Sequence, residues 1–307
     1  MNRERIIQSS MQKTSSYLIL IFSILLSSCS KKLTSLTDLS EAEKETVYQI
    51  LKNVSYDSDA EQVMDIYLSQ KAKSFGKRNY TVVFLHGGGY YFSDKSQEER
   101  YIEPYLRKGL NVINLNYRLK RGISLAMGDL TTALNFLKAN NADYGLNLDN
   151  VIVTGFSAGA HIATNVGLAQ NNPEYSNRLD KGITITSIIN FSGPVDGLDV
   201  VERIFTEHEN EQFKAVGKAL FPSEGYESRE NIARYEPITY FDQNDPPVYL
   251  WQGGLDDQIP PVTFERFVPL MRKDKDLRIF IPDGKHSPNQ KEFEKAYIDL
   301  FKFLDDL

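Results

Sequence analysis

Several residue types on which protein chemistry often depends are scarce in this chain. Its 307 residues include one cysteine and four histidines, so no disulfide can form within the chain and no histidine or cysteine cluster has the spacing of a metal site. The 35 basic residues are outnumbered by 41 acidic ones, and the net charge of -6 leaves no basic stripe for a polyanion. We therefore expect no metal, no cofactor and no nucleic-acid partner.

The apolar run near the N-terminus is also short. Basic residues precede Tyr17–Leu26, which is shorter than the about 20 residues of a membrane span but typical of an export signal. The run ends in Leu26-Ser27-Ser28-Cys29, which resembles the lipobox of bacterial lipoproteins. The resemblance implies cleavage before Cys29, lipidation of its thiol, and an exported lipoprotein anchored in a membrane. A cleaved, soluble secreted protein is the alternative.

Short apolar runs alternate with helix-forming segments along the rest of the chain. Strands are predicted near 81–85, 111–115, 151–154, 185–191, 247–251 and 278–281, and Val63–Leu68 is predicted to be a leading antiparallel strand. This alternation predicts an α/β fold with a mostly parallel central sheet and helices on both faces. We expect a signal segment at 1–28, a tether and lead-in at 29–53, and one domain at 54–307 that contains a possible lid at 199–235.

A serine follows the third strand of the parallel series in the motif G-x-S-x-G, at Gly155–Gly159. Glycines on both sides permit a tight turn from strand to helix, which points the hydroxyl of Ser157 out of the sheet. The helix predicted from residue 160 to 170 directs its N-terminal amides toward an oxyanion at this serine. We predict that Ser157 is a nucleophile, and an ordinary Gly-Ser turn is the alternative.

A second glycine-rich motif, His86–Gly89, directly follows the strand predicted at 81–85. Three consecutive glycines cost chain entropy, but they let backbone amides approach an oxyanion without obstruction by side chains. A flexible turn is the alternative. Because each motif lies at a strand end and the two follow one another in the expected order, we predict that both belong to one site.

Four histidines compete for the role of a general base. In proteins that resemble this chain in the G-x-S-x-G turn, the acid and then the histidine follow the serine along the chain. This resemblance implies that neither His86, which precedes Ser157, nor His161, which follows it by four residues on the same helix, is the base. His208 lies in a polar, acidic segment and remains the weaker alternative. His286 follows a predicted strand and a turn signal, so we predict that it is the general base.

Two adjacent aspartates follow the strand predicted at 247–251. A carboxylate at this strand end would accept a hydrogen bond from the imidazole and fix its tautomer. Asp256 fits the spacing G-x-x-D-x-x-x-P together with Gly253 and Pro260, so we predict that it is the acid. Asp257 remains an alternative acid, or the cap of the next helix.

These motifs resemble α/β-hydrolases, in the carboxylesterase branch with an HGGG loop that includes hormone-sensitive-lipase-like and feruloyl-esterase-like enzymes. Asn116–Leu119 and Asp245–Pro247 also resemble segments of that family. The resemblance implies the α/β-hydrolase fold and an oxyanion hole formed by the amides of Gly87, Gly88 and Ala158. It further implies a serine carboxylic-ester hydrolase that forms an acyl-enzyme with a small-molecule substrate, either a short-chain or a carbohydrate-linked acyl ester.

Two other functions are compatible with the same fold. An amidase or peptidase, including one similar to aryl formamidases, would use the same serine, histidine and aspartate. A peptidase of the prolyl-oligopeptidase type would require a larger N-terminal domain than the residues after Cys29 can form. A non-catalytic binding protein on a hydrolase scaffold is disfavoured, because all three predicted catalytic residues and the loop glycines are present.

Overall fold

A single twisted sheet carries the residues of the predicted site at one end of its strands. The computed structural model describes residues 48–222 and 229–307, and within them eight strands pair in the order β1-β2-β4-β3-β5-β6-β7-β8. The strands are β1 (Tyr48–Ser55), β2 (Val63–Ser69), β3 (Thr81–Leu85), β4 (Asn111–Leu115), β5 (Val151–Phe156), β6 (Ile185–Phe191), β7 (Val248–Gly253) and β8 (Leu277–Ile281).

Strand direction follows the prediction from the sequence. β2 pairs antiparallel with both β1 and β4, whereas every pair from β4 to β8 is parallel. All residues of β3, β4 and β5 are buried, as expected for parallel strands that are covered on both faces. β8 lies at the edge of the sheet, and its residues alternate between half-buried and exposed. The mostly parallel sheet is therefore confirmed.

Helices cover both faces of this sheet. They are α1 (Glu103–Lys108), α2 (Ile123–Ala139), α3 (Asn141–Tyr144), α4 (Ala158–Ala169), α5 (Leu198–Thr206), α6 (Glu211–Leu220) and α7 (Gln290–Asp305). Short 3-10 helices occur at Ala72–Arg78, Lys95–Tyr101, Arg229–Tyr235, Pro237–Thr239, Pro261–Phe264 and Val268–Leu270. None of the helices in the described ranges is long and apolar enough to cross a membrane.

Alternating side chains of the strands build two different cores. Val83 and Leu85 of β3 belong to an aliphatic cluster that includes Leu134 of α2 and Ile162 of α4. Phe84 points to the opposite face, where an aromatic layer formed by Tyr101, Phe191 and Tyr297 joins the sheet to α7. The helices are thus fixed on both faces, and the strand ends between them have little freedom to move.

The sheet begins earlier in the chain than the sequence predicted. β1 starts at Tyr48, before the expected domain boundary at residue 54, and the Tyr48 hydroxyl donates to the carbonyls of Leu106 and Leu110 at 2.7 and 3.0 Å. Residues 48–53 of the segment predicted as a tether and lead-in therefore belong to an edge strand. The predicted signal segment and Cys29 lie outside the described residues.

Candidate active site

Ser157 lies on the sharp turn that joins β5 to α4. Its φ of 52° falls in a region that L residues rarely occupy, so the turn is strained. A Cβ atom added to Gly159 would lie 2.1 Å from the carbonyl oxygen of Leu85, and one added to Gly155 would lie 2.4 Å from the carbonyl carbon of Gly159. Glycine at both positions is what lets the helix cross the sheet closely enough to form this turn.

The structure brings together the three side chains predicted as nucleophile, base and acid. His286 Nε2 lies 2.9 Å from Ser157 Oγ, and His286 Nδ1 lies 2.8 Å from Asp256 Oδ2. The other carboxylate oxygen of Asp256 accepts the amides of Gln258 and Ile259 at 3.0 and 2.9 Å. Since the carboxylate can only accept, Nδ1 carries a proton and Nε2 is left as the acceptor for the serine hydroxyl.

The loop that carries His286 is held by neighbours that the sequence did not reveal. Ser192, at the end of β6, donates its hydroxyl to the His286 carbonyl at 2.8 Å. A Cβ atom added to Gly253 would lie 2.3 Å from the Lys285 carbonyl oxygen, so this loop packs directly on the end of β7. These contacts fix the imidazole between the serine and the aspartate.

The competing residues lie elsewhere or are neutral. Asp257 is exposed, and His208 is exposed and accepts the amide of Asn210 at 3.0 Å. His161 is fully buried, donates Nε2–H to the Tyr235 carbonyl and accepts the Tyr90 hydroxyl at Nδ1. Burial lowers its pKa to about 3, so it is neutral at physiological pH.

The HGGG loop lies beside the serine and is held from several sides. His86 Nδ1–H donates to the Gly87 carbonyl at 2.7 Å, and its ring stacks on Tyr117 at 4.5 Å. The Tyr117 hydroxyl reaches the carbonyls of His86 and Gly87 at 2.9 and 3.2 Å. Burial lowers the pKa of His86 to about 4, so its ring acts as a neutral donor. Gly88 and Gly89 have φ of 100° and 60°, which accounts for glycine at both positions.

The amides predicted to form an oxyanion hole divide into two groups. Gly88 and Ala158 line the cavity above Ser157. Within the described ranges, neither amide donates a hydrogen bond to the backbone of a turn or loop. The Gly87 amide instead donates to Glu98 Oε2 at 2.9 Å. Its assignment to the oxyanion hole therefore needs correction, because a donor already bound to a carboxylate is not available to an oxyanion.

A cavity of about 350 Å³ opens above Ser157, and its two walls differ in polarity. Helices α5 and α6 and the residues beside them form an apolar wall of Leu198, Val201, Phe205, Phe213, Val216 and Leu220. The segment after the HGGG loop and the His286 loop contribute the polar lining residues Ser93, Gln97, Glu98 and Ser287, which we call the polar wall, and Phe92 also lines the cavity there. Apolar residues of the possible lid at 199–235 line the cavity, while a gating role for that region stays a prediction.

Glu98 is the carboxylate on the polar wall. Burial raises its pKa to about 7, against the opposing effects of the Gly87 hydrogen bond, the positive charge of Arg100 and the nearby His286 ring. A carboxylate in this position was not expected from the sequence. The only available signal was the glycine at position 87, whose missing side chain leaves space for it.

Comparison with known proteins identifies relatives of similar architecture. The model of the family described as BD-FAE matches residues 64–268. Endo-1,4-beta-xylanase B of Butyrivibrio fibrisolvens is 24% identical over 215 residues, which cover 65% of this chain and 30% of that protein. Esterase LipC of Mycobacterium tuberculosis is 24% identical over 233 residues, which cover 72% of this chain and 55% of that protein. The chain thus spans about one third to one half of the length of these relatives.

Solved structures give the same architecture. Esterase B from Lactobacillus Rhamnosis superposes with a TM-score of 0.66 at 17% identity, covering 98% of this chain and 93% of that one. A truncated carbohydrate esterase from gut microbiota superposes with a TM-score of 0.64 at 20% identity, covering 85% of this chain and 98% of that one. Together with the sheet order, these similarities confirm the predicted α/β-hydrolase fold.

Proposed function

The chain belongs to the BD-FAE family, and on that premise we propose that it is a serine carboxylesterase that acts through an acyl-enzyme. The observation that carries the proposal is the continuous hydrogen-bonded chain from Ser157 Oγ through His286 to Asp256, with steps of 2.9 and 2.8 Å. This chain lies under a cavity that can hold a small ester. The esterase names of several relatives support the same activity.

In the proposed first step, Ser157 Oγ attacks the acyl carbon of the ester while its proton moves to His286 Nε2. Asp256 accepts the hydrogen bond from Nδ1–H and so stabilises the imidazolium that forms. The tetrahedral intermediate collapses when the alkoxide leaves and takes the proton from Nε2. Water then attacks the acyl-enzyme by the same route, releasing the acid and restoring the serine hydroxyl.

We propose that the oxyanion is bound by the amides of Gly88 and Ala158. Both line the cavity next to the serine, and Ala158 opens α4, whose N-terminal dipole favours negative charge. Gly89 also lines the cavity and is the candidate for a third donor. Gly87 is left out of this set, because its amide donates to Glu98.

Cavity polarity supports an ester with one apolar and one hydroxylated part. The apolar wall at α5 and α6 would hold a short acyl or aromatic acid, and the polar wall would contact the alcohol. One relative is named a xylanase and one solved structure a carbohydrate esterase, which supports a carbohydrate-linked ester as the substrate class.

We also propose that the protein is exported and anchored to a membrane by lipid on Cys29. The support for this is the sequence around the single cysteine: an apolar segment at Tyr17–Leu26 that ends in Leu-Ser-Ser-Cys. A lipid anchor would keep the enzyme at a membrane surface, with the residues after Cys29 as a tether.

The test is hydrolysis of p-nitrophenyl esters with acyl chains from acetyl to decanoyl, by the full-length chain and its Ser157→Ala variant. We expect turnover of short esters and a decline once the acyl chain exceeds what a cavity of about 350 Å³ can hold. In Ser157→Ala, kcat should fall by about 10³-fold or more. Comparable activity in that variant would contradict the proposed nucleophile, and a correctly folded wild type without esterase activity would contradict the reaction class.

A further inference from the structure

Glu98 occupies an unusual place for a carboxylate that takes no part in the proposed chemistry. It lies in the 3-10 helix Lys95–Tyr101 and faces the HGGG loop, where its Oε2 accepts the Gly87 amide at 2.9 Å. Its Oε1 lies 3.1 Å from the point where a Cβ atom of residue 87 would stand. A side chain at position 87 would crowd the carboxylate, and glycine there leaves space for it.

This position is costly for a negative charge. A partly buried carboxylate loses some of its hydration, and within the described ranges no ion pair with Glu98 compensates for that loss. The basic groups near it are Arg100 from its own 3-10 helix and His286 from the loop after β8. Tyr101 and Tyr117 are the phenols that face it. The Gly87 amide is thus its direct hydrogen-bond donor.

Two consecutive peptide planes pass through Gly87. The first plane contains the His86 carbonyl and the Gly87 N–H. The carbonyl accepts from the Tyr117 hydroxyl, and the N–H donates to Glu98. The plane after Gly87 has its carbonyl bound by the His86 ring and Tyr117. That second plane also contains the Gly88 N–H, which points away from its carbonyl because the peptide is planar and trans. Its direction is therefore set by the contacts at Gly87.

We propose that Glu98 is a positioning residue for the esterase reaction: by holding the Gly87 amide, it orients the loop so that the Gly88 amide faces the oxyanion. The inference rests on the proposed function. Glu98 acts through Gly87 and does not contact the reacting atoms. Removing its carboxylate takes away one of the two hydrogen bonds that hold the first peptide plane and leaves only the Tyr117 contact. The Gly88 donor can then deviate from the oxyanion, which weakens binding of the transition state more than binding of the substrate.

Three variants of the full-length chain test this role: Glu98→Ala, Glu98→Gln and the matched control Glu99→Gln. The Glu98→Gln variant keeps a side-chain oxygen that can accept the Gly87 N–H, whereas the Glu98→Ala variant has no such acceptor. The neighbouring Glu99 side chain is 40% exposed, and its Oε1 lies 3.7 Å from Lys52 Nζ. Glu99→Gln therefore makes the same chemical change at a position that does not contact the HGGG loop. The readouts are kcat and KM for p-nitrophenyl acetate, the Ki of a trifluoromethyl ketone that forms a tetrahedral adduct, and the melting temperature.

We expect Glu98→Ala to lower kcat about tenfold and to weaken the ketone by a similar factor, with KM changed less than about twofold. Glu98→Gln should retain kcat within about threefold of wild type, and Glu99→Gln should match wild type. Wild-type kcat and Ki in Glu98→Ala would overturn the positioning role, as would a loss in Glu98→Gln equal to that in Glu98→Ala. A change in melting temperature alone would identify a purely structural residue. An active Ser157→Ala variant would instead contradict the proposed function itself.

Discussion

Asp256 and Asp257 are neighbours in the chain but lie in different surroundings. Asp256 is 3% exposed, and its carboxylate accepts from His286 and from two backbone amides. Asp257 is exposed to solvent. Because a catalytic acid must stay ionised and fixed beside the imidazole, the network of donors around Asp256 suits the role, and a solvated carboxylate does not.

We predict that Asp256→Asn lowers kcat for p-nitrophenyl acetate by about 10³ to 10⁴-fold, since an amide can present an N–H to His286 and favour the wrong tautomer. Asp257→Asn, a matched change one residue away, should stay within about twofold of wild type. Both variants need the circular dichroism spectrum of the wild type for the comparison to hold. A large loss in Asp257→Asn with an active Asp256→Asn would reverse the assignment.

The partly buried carboxyl of Glu98 leads to a prediction of how stability depends on pH. Its pKa is raised from 4.5 to about 7, so the native state binds this proton more tightly than the unfolded chain does. The resulting stabilisation is fully present below pH 4.5 and is lost as the pH rises through about 7. A glutamine at position 98 stays neutral at every pH and should remove this dependence.

The measurement is the free energy of unfolding in urea at pH 5 and pH 8 for wild type, Glu98→Gln and Glu99→Gln. We expect wild type and Glu99→Gln to lose more stability than Glu98→Gln between the two pH values. If all three proteins change by the same amount, the raised pKa of Glu98 is contradicted.

The residues that could be predicted from the sequence are those whose positions depend on chain order and strand ends. Ser157, Asp256 and His286 each follow a strand that could be recognised, so their meeting at one end of a parallel sheet was expected. The pairing of Gly87 with Glu98 was not, because it depends on how a short 3-10 helix packs against the loop. The sequence contains no periodicity that reports such a contact.

Near the site, helix α4 packs very closely against the end of strand β3. A methyl group on Gly159 would lie 2.1 Å from the Leu85 carbonyl oxygen, which the backbone cannot avoid without moving the helix. Gly128 in α2 provides the opposite case, because the nearest atom to its added methyl group would be 3.9 Å away. Comparing alanine substitutions at the two glycines therefore distinguishes the effect of close packing from the general effect of glycine on helix stability.

We predict that Gly159→Ala lowers the free energy of unfolding by about 3 kcal/mol or more and abolishes activity, because overpacking displaces the helix that carries the serine turn. Gly128→Ala should be neutral or stabilising by up to about 1 kcal/mol, since alanine is the better helix former. Urea denaturation of both variants measures the difference. A Gly159→Ala variant as stable as wild type would contradict the close crossing of α4 and β3.

The order of strands and helices was largely predictable, but the first strand was not. β1 pairs with β2 through a register shift between Leu51 and Val54, and Asn53 within it has a φ of 54°. Such a bulge interrupts the alternation of apolar and polar residues by which a strand is recognised. Helices α5 and α6 were expected only as part of a possible lid at 199–235, because the spacing of their apolar residues shows an apolar face but not what that face covers.

For the whole molecule, the proposed export and anchoring make a separate prediction. When the full-length chain is expressed in a bacterium that processes lipoproteins, it should partition into the detergent phase of a Triton X-114 extraction. Cys29→Ser removes the chain's only cysteine, so the variant should not be lipidated and the cleaved, mature-length form should not appear. A wild-type protein that is cleaved yet stays in the aqueous phase would instead support the soluble secreted alternative.

Substrate identity is the property of the whole molecule that the sequence could not supply. The cavity walls come from α5, α6, the 3-10 helix Lys95–Tyr101 and the His286 loop, which are far apart in the chain. Their packing decides its volume and polarity, and no local pattern encodes that packing. The residues predicted as nucleophile, base and acid, by contrast, share one end of the sheet and could be predicted together.

Covalent labelling by a p-nitrophenyl alkylphosphonate tests most directly whether Ser157 is a nucleophile activated by His286. Ser157 Oγ should form a bond to phosphorus as p-nitrophenolate leaves, giving one equivalent of released phenolate and one modified peptide that contains Ser157 in mass spectrometry. His286→Ala should slow this labelling by about 10²-fold or more, because the serine loses its base. Labelling at another residue, or at Ser157 with the same rate in His286→Ala, would contradict the account of a serine activated by His286.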